Sequence, residues 1–249
     1  MLFKFINYSI SMFYLHAIPK DLKKRYNQAE TRRRSIIRAY DLFSEEEIRE
    51  SYNHFKKYFY TSLLVKTRHV SREYAIKKAL ENHEENDFYL EFGVFQGTSI
   101  NQSSKILKDK IIYGFDSFEG LHDDWKGDAW PNGYFNLNKK IPKLNNNVKI
   151  EVGLVQKTLP EFLSKHKNLL VNYIHLDLDT YPSTKFVLNL IKPYLKDKCI
   201  LIFDELYDFP GWKVGEYKAL TEEFNEDEYE YLCFSREGKG SVVIEYNKK

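Results

Sequence analysis

The sequence predicts an α/β fold built around one mostly parallel β-sheet. After residue 85, short apolar runs alternate with stretches of helical periodicity, which is typical of parallel strands joined by crossover helices. The chain ends in two strand-like runs separated by residues 236–240, and this spacing predicts a terminal hairpin. With 249 residues, the chain is also long enough to bury the core of one large domain.

The N-terminal third is predicted to be helical. Residues 1–85 carry long charged segments with helical spacing, so we expect a helical lid or oligomerisation region there and the main domain over residues 86–249. Helices are predicted over Asp21–Phe43, from a capping box at Ser44 and Glu47 to Phe59, and from a cap at Ser71. Residues 2–18 are apolar, but polar side chains interrupt them and they are shorter than the ~20 residues of a membrane span. Residues 2–18 are therefore predicted to form a helix that packs within the protein or forms an oligomer contact.

Five internal strands follow, each an apolar run of about five to seven residues. Their predicted bounds are Phe88–Val94, Ile111–Phe115, Val148–Val152, Tyr173–Leu178 and Cys199–Phe203. Helices are predicted over Thr98–Leu107, Leu159–His166, Ser183–Leu195 and Gly215–Phe224, and the hairpin over Tyr229–Ser235 and Ser241–Tyr246. Because open parallel sheets bind ligands at the carboxyl ends of their strands, the candidate functional residues are expected at those ends.

The first strand ends in a glycine turn with the spacing E-x-G-x-x-x-G. Gly93 and Gly97 would let the backbone approach a ligand, and Thr98 or Ser99 would present amides and hydroxyls at a helix N-terminus. The spacing is not the G-x-G-x-x-G of a dinucleotide binder, so a pyrophosphate-bearing cofactor is disfavoured. Glu91, beside the turn, suits a cofactor that carries an ammonium group.

The second strand ends in Asp116 and Ser117. A carboxylate just past this strand can accept hydrogen bonds from ribose hydroxyls. A simple turn aspartate is the alternative, but the glycine turn one strand earlier favours Asp116 as the ribose ligand.

The charged residues and the cysteines of the sequence indicate which binding partners and which compartment to expect. The 38 basic and 36 acidic residues leave a net charge of +2, which does not favour nucleic acid. Cys199 and Cys233 both lie in apolar runs and cannot form a disulfide framework, so a reducing, cytoplasmic compartment is expected. The run Arg32 to Arg34 is either a solvated helix face or a set of cationic contacts to a diphosphate.

Five motifs, taken in order, resemble those of the macrocin O-methyltransferase family. They are Glu91 to Ser99, Gly114 to Leu121, Thr158-Leu159-Pro160, Ile174 to Thr184 and Phe203 to Tyr217. The resemblance implies a Rossmann-like class I methyltransferase fold with a seven-stranded sheet and an antiparallel last strand. It also implies S-adenosylmethionine as cofactor and, as acceptor, the hydroxyl of a nucleotide-linked sugar in surface-glycan or natural-product biosynthesis.

The resemblance assigns cofactor contacts to Glu91, Gly93, Thr98, Asp116 and Ser117. Two positions depart from the family. His122 stands where proline is common, and Lys157 stands where an acidic residue usually precedes Thr-Leu-Pro.

Acidic residues end the fourth and fifth strands. Side chains alternate between the two sides of a strand, so Asp177 and Asp179 lie on the same side of the fourth strand. Asp204 and Glu205 end the fifth strand. Adjacent strands lie ~4.8 Å apart, so Asp177, Asp204 and Glu205 can converge on one oxygen-ligated cation. In metal-dependent members of the family the matching residues bind magnesium, and the resemblance implies that role here, although manganese and iron(II) suit the same ligands. Asp177 or Asp179 is the predicted general base.

Two alternatives remain. The D-x-D sequence Asp177-Leu178-Asp179 also suits a metal-dependent glycosyltransferase, but that function leaves the glycine turn and Asp116 unexplained. A non-catalytic interaction subunit is the other alternative, and the complete cofactor and metal sets disfavour it. We also expect a homo-oligomer, because the N-terminal helices are apolar.

Overall fold

The structure is a computed structural model that describes residues 38–248. Contacts between Cα atoms divide the chain into a first unit, residues 1–43, and a second unit, residues 44–249. The apolar segment 2–18 and the run Arg32 to Arg34 lie outside the described residues, and so does most of the helix predicted over Asp21–Phe43. The predicted domain boundary near residue 85 stays a prediction.

Helices and strands alternate through most of the described chain. In order they are α1 (Ala39–Phe59), β1 (Leu63–Val65), α2 (Arg68–Glu81), β2 (Asp87–Phe92), α3 (Thr98–Leu107), β3 (Ile112–Asp116), β4 (Val148–Val152), α4 (Val155–Lys165), β5 (Leu170–Leu176), α5 (Tyr181–Ile191), β6 (Leu195–Tyr207), α6 (Glu216–Glu223), β7 (Tyr229–Ser235) and β8 (Gly240–Tyr246). Single 3₁₀ turns lie at Lys192–Tyr194, Trp212–Val214 and Glu226–Glu228.

The strands form one sheet in the order β1-β7-β8-β6-β5-β2-β3-β4. Neighbouring strands are parallel, except that β8 runs antiparallel to both β6 and β7. The predicted Rossmann-like fold with an antiparallel last strand is therefore confirmed. The sheet has eight strands rather than the expected seven, because Leu63–Val65 adds a short strand beside β7.

The sheet is buried on both faces, which explains why its strands are continuous apolar runs. Alternate residues of β2 point to opposite faces: Leu90 and Phe92 pack on the side of α4, α5 and α6, while Tyr89 packs on the side of α2 and α3. We call the latter the α2/α3 face. The same alternation places Glu91 on the α2/α3 face.

Two predicted helix starts differ from the structure. Helix α1 begins at Ala39, where the Asp41 carboxylate accepts a hydrogen bond from the Arg38 amide at 3.1 Å, so Ser44 lies inside the helix instead of capping it. Helix α2 is capped by Thr67, and Ser71 instead lies inside it with its hydroxyl 2.5 Å from that of Ser241. This contact joins α2 to β8.

Within residues 38–248, none of the helices combines the length and the apolar character that crossing a bilayer requires.

Candidate active site

A cavity of about 390 Å³ opens at the carboxyl ends of the central strands. The ends of β3 and β6 and the residues that directly follow β2 and β5 contribute to its wall, as expected for an open parallel sheet. The wall also includes residues from α2, from the loop after β3, from the start of α4 and from the tip of the β7–β8 hairpin. Residues that are far apart in the sequence thus meet at one edge.

The turn after β2 requires glycine at position 93. Gly93 has a φ of +87°, and a Cβ atom built there would lie 1.8 Å from the carbonyl oxygen of Asp177. No side chain fits in that space, because β5 passes directly behind the turn. The turn and the acidic end of β5 are therefore in backbone contact.

Asp116, at the end of β3, holds the same turn in place. One carboxylate oxygen accepts hydrogen bonds from the amides of Val94 (2.8 Å) and Phe95 (2.7 Å), and the other accepts one from the amide of Phe118 (2.7 Å). Three amide donors on one carboxylate fix the backbone that faces the cavity.

The predicted cofactor residues separate into two groups. Gly93, Asp116 and Ser117 line the cavity, whereas Glu91, Gly97, Thr98 and Ser99 do not. Glu91 is fully buried, and one of its carboxylate oxygens accepts a hydrogen bond from the Ser99 hydroxyl at 2.6 Å. Gly97 begins α3 in the left-handed conformation, with a φ of +76°. Of these four residues, Glu91, Gly97 and Ser99 are buried and Thr98 is exposed.

Glu91 belongs to a row of charged side chains across three strands on the α2/α3 face. His175 lies between Glu91 and Asp204, with its Nδ1 atom 3.0 Å from the Glu91 carboxylate and its Nε2 atom 3.3 Å from that of Asp204. Burial alone would lower the pKa of His175, but the two carboxylates raise it to about 10. The two carboxylates therefore favour the protonated form of His175.

Four carboxylates line the cavity at the ends of β5 and β6, and we call this set the acidic edge: Asp177, Asp179, Asp204 and Glu205. Burial and the neighbouring Asp204 raise the pKa of Asp177 to about 7. Burial, followed by nearby carboxylates, raises the pKa values of Asp179 and Glu205 well above their ordinary values. Asp204 differs: burial opposes its ionisation, but the hydrogen bond with His175 and the charge of Arg72 hold its pKa well below the ordinary value.

Two arginines of α2 reach the acidic edge. Arg68 Nη1 lies 2.6 Å from the Asp204 carboxylate and 3.2 Å from that of Glu205, and Arg72 Nη2 lies 2.5 Å from Asp204. Sequence reasoning missed both residues, because they lie one helical turn apart on a charged helix that precedes every recognised motif. Their proximity to Asp204 depends on how α2 packs against the sheet.

Aromatic side chains also line the cavity. Trp125 and Trp130, both in the loop after β3, line it together with His122. Lys239, at the hairpin tip, lies 4.3 Å above the Trp125 ring centroid and forms an ion pair with Asp128. Trp212 is instead a core residue, 3% exposed and packed on Phe55 and Tyr217.

The residues that directly follow β4 also line the cavity. Gly153, Leu154, Val155 and Gln156 lie there, whereas Lys157 does not contribute. Sequence reasoning did not single out these residues, although the rule that ligands bind beyond strand ends applies to β4 as well.

Comparison with known proteins identifies the domain. Residues 90–206 match a family model described as a methyltransferase domain. No curated protein matches the chain. The match includes the Asp177-Leu178-Asp179 segment, so a methyltransferase domain accounts for this segment without a glycosyltransferase.

Solved structures agree with this family in fold. The crystal structure of CalS11, a calicheamicin methyltransferase, has a TM-score of 0.60 and 23% identity and covers 72% of this chain and 79% of its own. An apo structure of CalS11, described as a TDP-rhamnose 3'-O-methyltransferase, gives a TM-score of 0.54 at 22% identity, with coverage of 72% and 79%. The O-methyltransferase NovP gives 0.51 at 17% identity, with coverage of 73% and 80%.

At these identities the likeness establishes the fold, and the family match establishes the domain. The predicted fold and the predicted enzyme class are both confirmed. Residues 90–206 thus match a methyltransferase domain, and the chain has the Rossmann-like fold of the class I methyltransferases.

Proposed function

We propose that the protein is a divalent-metal-dependent O-methyltransferase that acts on a hydroxyl of a nucleotide-linked sugar, in surface-glycan or natural-product biosynthesis. One observation carries the proposal. The same cavity of about 390 Å³ is lined by the glycine turn, by the acidic edge and by two tryptophans. The cofactor, the cation and the acceptor would therefore meet in one cavity.

The cofactor end of the cavity fits S-adenosylmethionine. A carboxylate offers about four lone-pair positions, so Asp116 can accept a hydrogen bond from one ribose hydroxyl while it keeps its three amide donors. Gly93 has no side chain, so its backbone atoms themselves line the cavity. We assign Glu91 and Ser99 to holding the turn from behind, and we keep Gly97 and Thr98 as turn and helix-start residues.

The acidic edge fits a hard divalent cation. Carboxylate oxygens are the ligands that magnesium and manganese prefer. Glu205 is 6% exposed, and its Oε2 atom has no hydrogen-bond partner among residues 38–248. A buried carboxylate oxygen without a donor is costly, and a cation would remove that cost.

The chemistry assigned to the chain's own residues is positioning and proton removal. When bound, the cofactor supplies an electrophilic methyl group and the cation lowers the acceptor hydroxyl's pKa. Asp177 or Asp179, which both line the cavity, is assigned as the general base that accepts the hydroxyl proton. The Gly93 turn and Asp116 would hold the cofactor, which would give its methyl group to the acceptor oxygen as its carbon–sulfur bond breaks and would leave as S-adenosylhomocysteine.

The sugar acceptor is supported by the aromatic wall and by the likeness to CalS11. Sugar rings pack on indole faces, and Trp130, which is partly exposed, lines the cavity. CalS11 is described as a TDP-rhamnose 3'-O-methyltransferase. A catechol acceptor would instead favour a mainly apolar slot, whereas His122, Lys239 and the acidic edge make this end polar.

The proposal is tested by measuring transfer of labelled methyl groups to nucleotide-sugars, free sugars and catechols in parallel, with Mg²⁺ or with excess chelator. We expect labelled product with a nucleotide-sugar and loss of product on chelation. Asp116→Ala should weaken S-adenosylmethionine binding by about 10- to 100-fold, because a charged hydrogen-bonding group is lost. Asp123→Ala, an exposed residue of the same loop outside the cavity wall, is the matched control.

Three results would contradict parts of this proposal. Methylation of catechols alone would remove the sugar acceptor. Full turnover in chelator would remove the cation. Unchanged cofactor affinity in Asp116→Ala would remove that residue from the ribose site.

The remaining predictions concern assembly and compartment. We propose a homo-oligomer in which residues 1–85 serve as a lid or contact region. We also propose a cytoplasmic location, supported by Cys199 and Cys233, which are both buried and unpaired.

A further inference from the structure

The loop after β3 contains a tight turn from Trp125 to Trp130, which we call the tryptophan turn. The Trp125 amide donates to the Trp130 carbonyl at 2.9 Å, and the Asp128 amide donates to the Trp125 carbonyl at 3.2 Å. The turn also packs on the loop after β6, because a Cβ atom built at Gly127 would lie 2.5 Å from the Cα atom of Gly211. Both tryptophans line the cavity, so the cavity wall depends on what keeps this turn in place.

Lys239, at the tip of the β7–β8 hairpin, contacts the tryptophan turn through its ammonium group. The ammonium forms an ion pair with Asp128 and lies 4.3 Å from the centroid of the Trp125 ring and 5.9 Å from that of Trp130. Trp125 is 4% exposed and the side chain of Asp128 is 12% exposed, so water reaches these partners poorly. Such shielding strengthens a cation over an indole ring and an ion pair relative to the same contacts on an open surface.

The hairpin tip is itself attached to α2. Arg68 Nη2 donates to the Lys239 carbonyl at 3.0 Å, and the Arg68 amide donates to the Glu237 carboxylate at 2.8 Å. The same guanidinium group pairs with Asp204 at the acidic edge. The Lys239 side chain therefore extends from an anchored backbone to a loop that is distant in the sequence.

The backbone of Lys239 lies in the left-handed region, with a φ of +56°. Glycine, which stands on both sides of it at Gly238 and Gly240, adopts this conformation more easily. The side chain, rather than the backbone, therefore supplies the reason for a lysine at this position. Arg68 and Arg72 direct their charges to the acidic edge, whereas Lys239 directs its charge to the tryptophan turn.

We propose that Lys239 is a positioning residue for the acceptor, because its ammonium group holds the tryptophan turn in place as part of the cavity wall. Trp130, fixed in this way, can pack on the sugar ring of the acceptor. The inference rests on the proposed function for the identity of that acceptor. Loss of the ammonium should impair acceptor binding and leave intact the cofactor end of the cavity at Gly93 and Asp116.

Fluorine NMR of the protein labelled with 5-fluorotryptophan tests the contact without any turnover, since each of the three tryptophans gives its own signal. Lys239→Met removes the charge at nearly constant length, and Lys239→Arg keeps the charge. In Lys239→Met we expect the Trp125 signal to shift and to respond more strongly to exchange of H₂O for D₂O. The signal of the core residue Trp212 should stay unchanged, and Lys239→Arg should resemble the wild type.

Lys139→Met is the matched control. Lys139 belongs to the loop after β3, has a similar φ of +61° and pairs with Glu119 at 3.1 Å, but it does not line the cavity. Its substitution should leave the Trp125 signal and methyl transfer unchanged.

A second variant removes the carboxylate partner from the turn. Asp128→Asn keeps the Oδ1 atom that accepts a hydrogen bond from the Ala129 amide at 2.6 Å, but it loses the charge that pairs with Lys239. We expect a smaller shift of the Trp125 signal in the same direction, because the ammonium still lies over the ring. This variant decides the matter if Lys239→Met does not fold.

Kinetics with the acceptor that gives labelled product in the parallel assay measure the effect on function. We expect Lys239→Met to raise the acceptor KM by about 3- to 10-fold, as the loss of one shielded cation–π contact and its ion pair implies, with kcat within about twofold of the wild type. Binding of S-adenosylhomocysteine should be unchanged, which also confirms that the fold is intact.

An unchanged Trp125 signal in Lys239→Met overturns the inference. A shifted signal with an unchanged acceptor KM does so as well, because the contact would then stabilise the loop without positioning the acceptor. An equal rise of KM in Lys239→Arg would show that the charge is not what holds the turn. If no sugar is methylated by the wild type, the proposed function fails, and the Trp125 signal alone decides whether Lys239 holds the tryptophan turn.

Discussion

At the scale of single residues, Gly93 carries the tightest constraint in the site. Its positive φ acts together with the 1.8 Å separation that a Cβ atom at this position would have from Asp177, whereas Gly133 has a similar φ of +79° and open space around it. Gly133→Ala should therefore cost about 1–2 kcal/mol through backbone strain alone. Gly93→Ala adds a clash and should cost about 2–5 kcal/mol.

Thermal unfolding and calorimetric titration with S-adenosylhomocysteine check this pair of substitutions. We expect only Gly93→Ala to lose cofactor affinity, because Gly93 lines the cavity and Gly133 does not. Equal loss of stability in the two variants would mean that the approach to Asp177 is not what selects glycine at position 93.

Residues at strand ends could be predicted from the sequence, and residues that approach from elsewhere could not. Gly93, Asp116 and Asp177 follow apolar runs, so the rule for open sheets locates them. Arg68 and Lys239 come from a helix and a hairpin tip, and their place in the site depends on packing that no local pattern records. Glu91 was predicted to contact the cofactor, but its position in β2 turns its side chain toward the α2/α3 face, where it is fully buried.

At the scale of elements, the 3₁₀ turn before β7 depends on one carboxylate. Glu228 Oε2 accepts hydrogen bonds from the Asn225 amide at 2.7 Å and from Lys192 Nζ at 2.9 Å, which ties this turn to the end of α5. Burial would raise the pKa of Glu228, but the bonds from Lys192 and Asn225 lower it below its ordinary value of 4.5. A carboxylate with a lowered folded pKa stabilises the fold above its unfolded pKa and loses that contribution as the pH falls through the folded pKa.

Glu228→Gln should therefore lower the free energy of unfolding by about 1–2 kcal/mol near neutral pH, as expected for lost charge-assisted hydrogen bonds. The difference from the wild type should shrink as the pH falls below about 4.5. Urea unfolding at a series of pH values measures it, with the exposed neighbour Glu226→Gln as control. A difference that stays constant down to the lowest pH would show that the charge of Glu228 does not contribute.

Helices and strands could be predicted from the sequence where their pattern of apolar residues is long enough to recognise. The five internal strands and the terminal hairpin are apolar runs long enough to recognise, and all are present in the sheet. Strand β1 was missed because three residues, of which Leu63 and Leu64 are exposed, contain no alternation to detect. The cap of α2 was misplaced by one turn, since Thr67 and Ser71 are both suitable capping residues and tertiary contacts of Ser71 with β8 decide between them.

At the scale of the whole molecule, the acidic edge and the glycine turn are parts of one framework. The Gly93 turn contacts the backbone of Asp177, and His175 links Glu91, behind the turn, to Asp204, which α2 holds through Arg68 and Arg72. A ligand that fills the cavity therefore contacts groups that are anchored in β2, β3, β5, β6 and α2 together. Binding should stabilise the fold as a unit, because these elements share one sheet and one core.

This coupling predicts a large thermal shift with the cofactor product. S-adenosylhomocysteine at about 100 times its dissociation constant should add about 2.7 kcal/mol to the free energy of unfolding. For a domain of this size, that gain raises the melting temperature by about 5–11 °C. Gly93→Ala should show little of the shift, while Gly133→Ala should keep it, because only Gly93 belongs to the cavity wall. A nucleotide-sugar with Mn²⁺ should give a smaller shift when the cofactor product is absent, since it leaves the Asp116 end of the cavity empty. The opposite ranking, with stabilisation by the nucleotide-sugar alone and none by S-adenosylhomocysteine, would contradict the assignment of this cavity to the methyl donor.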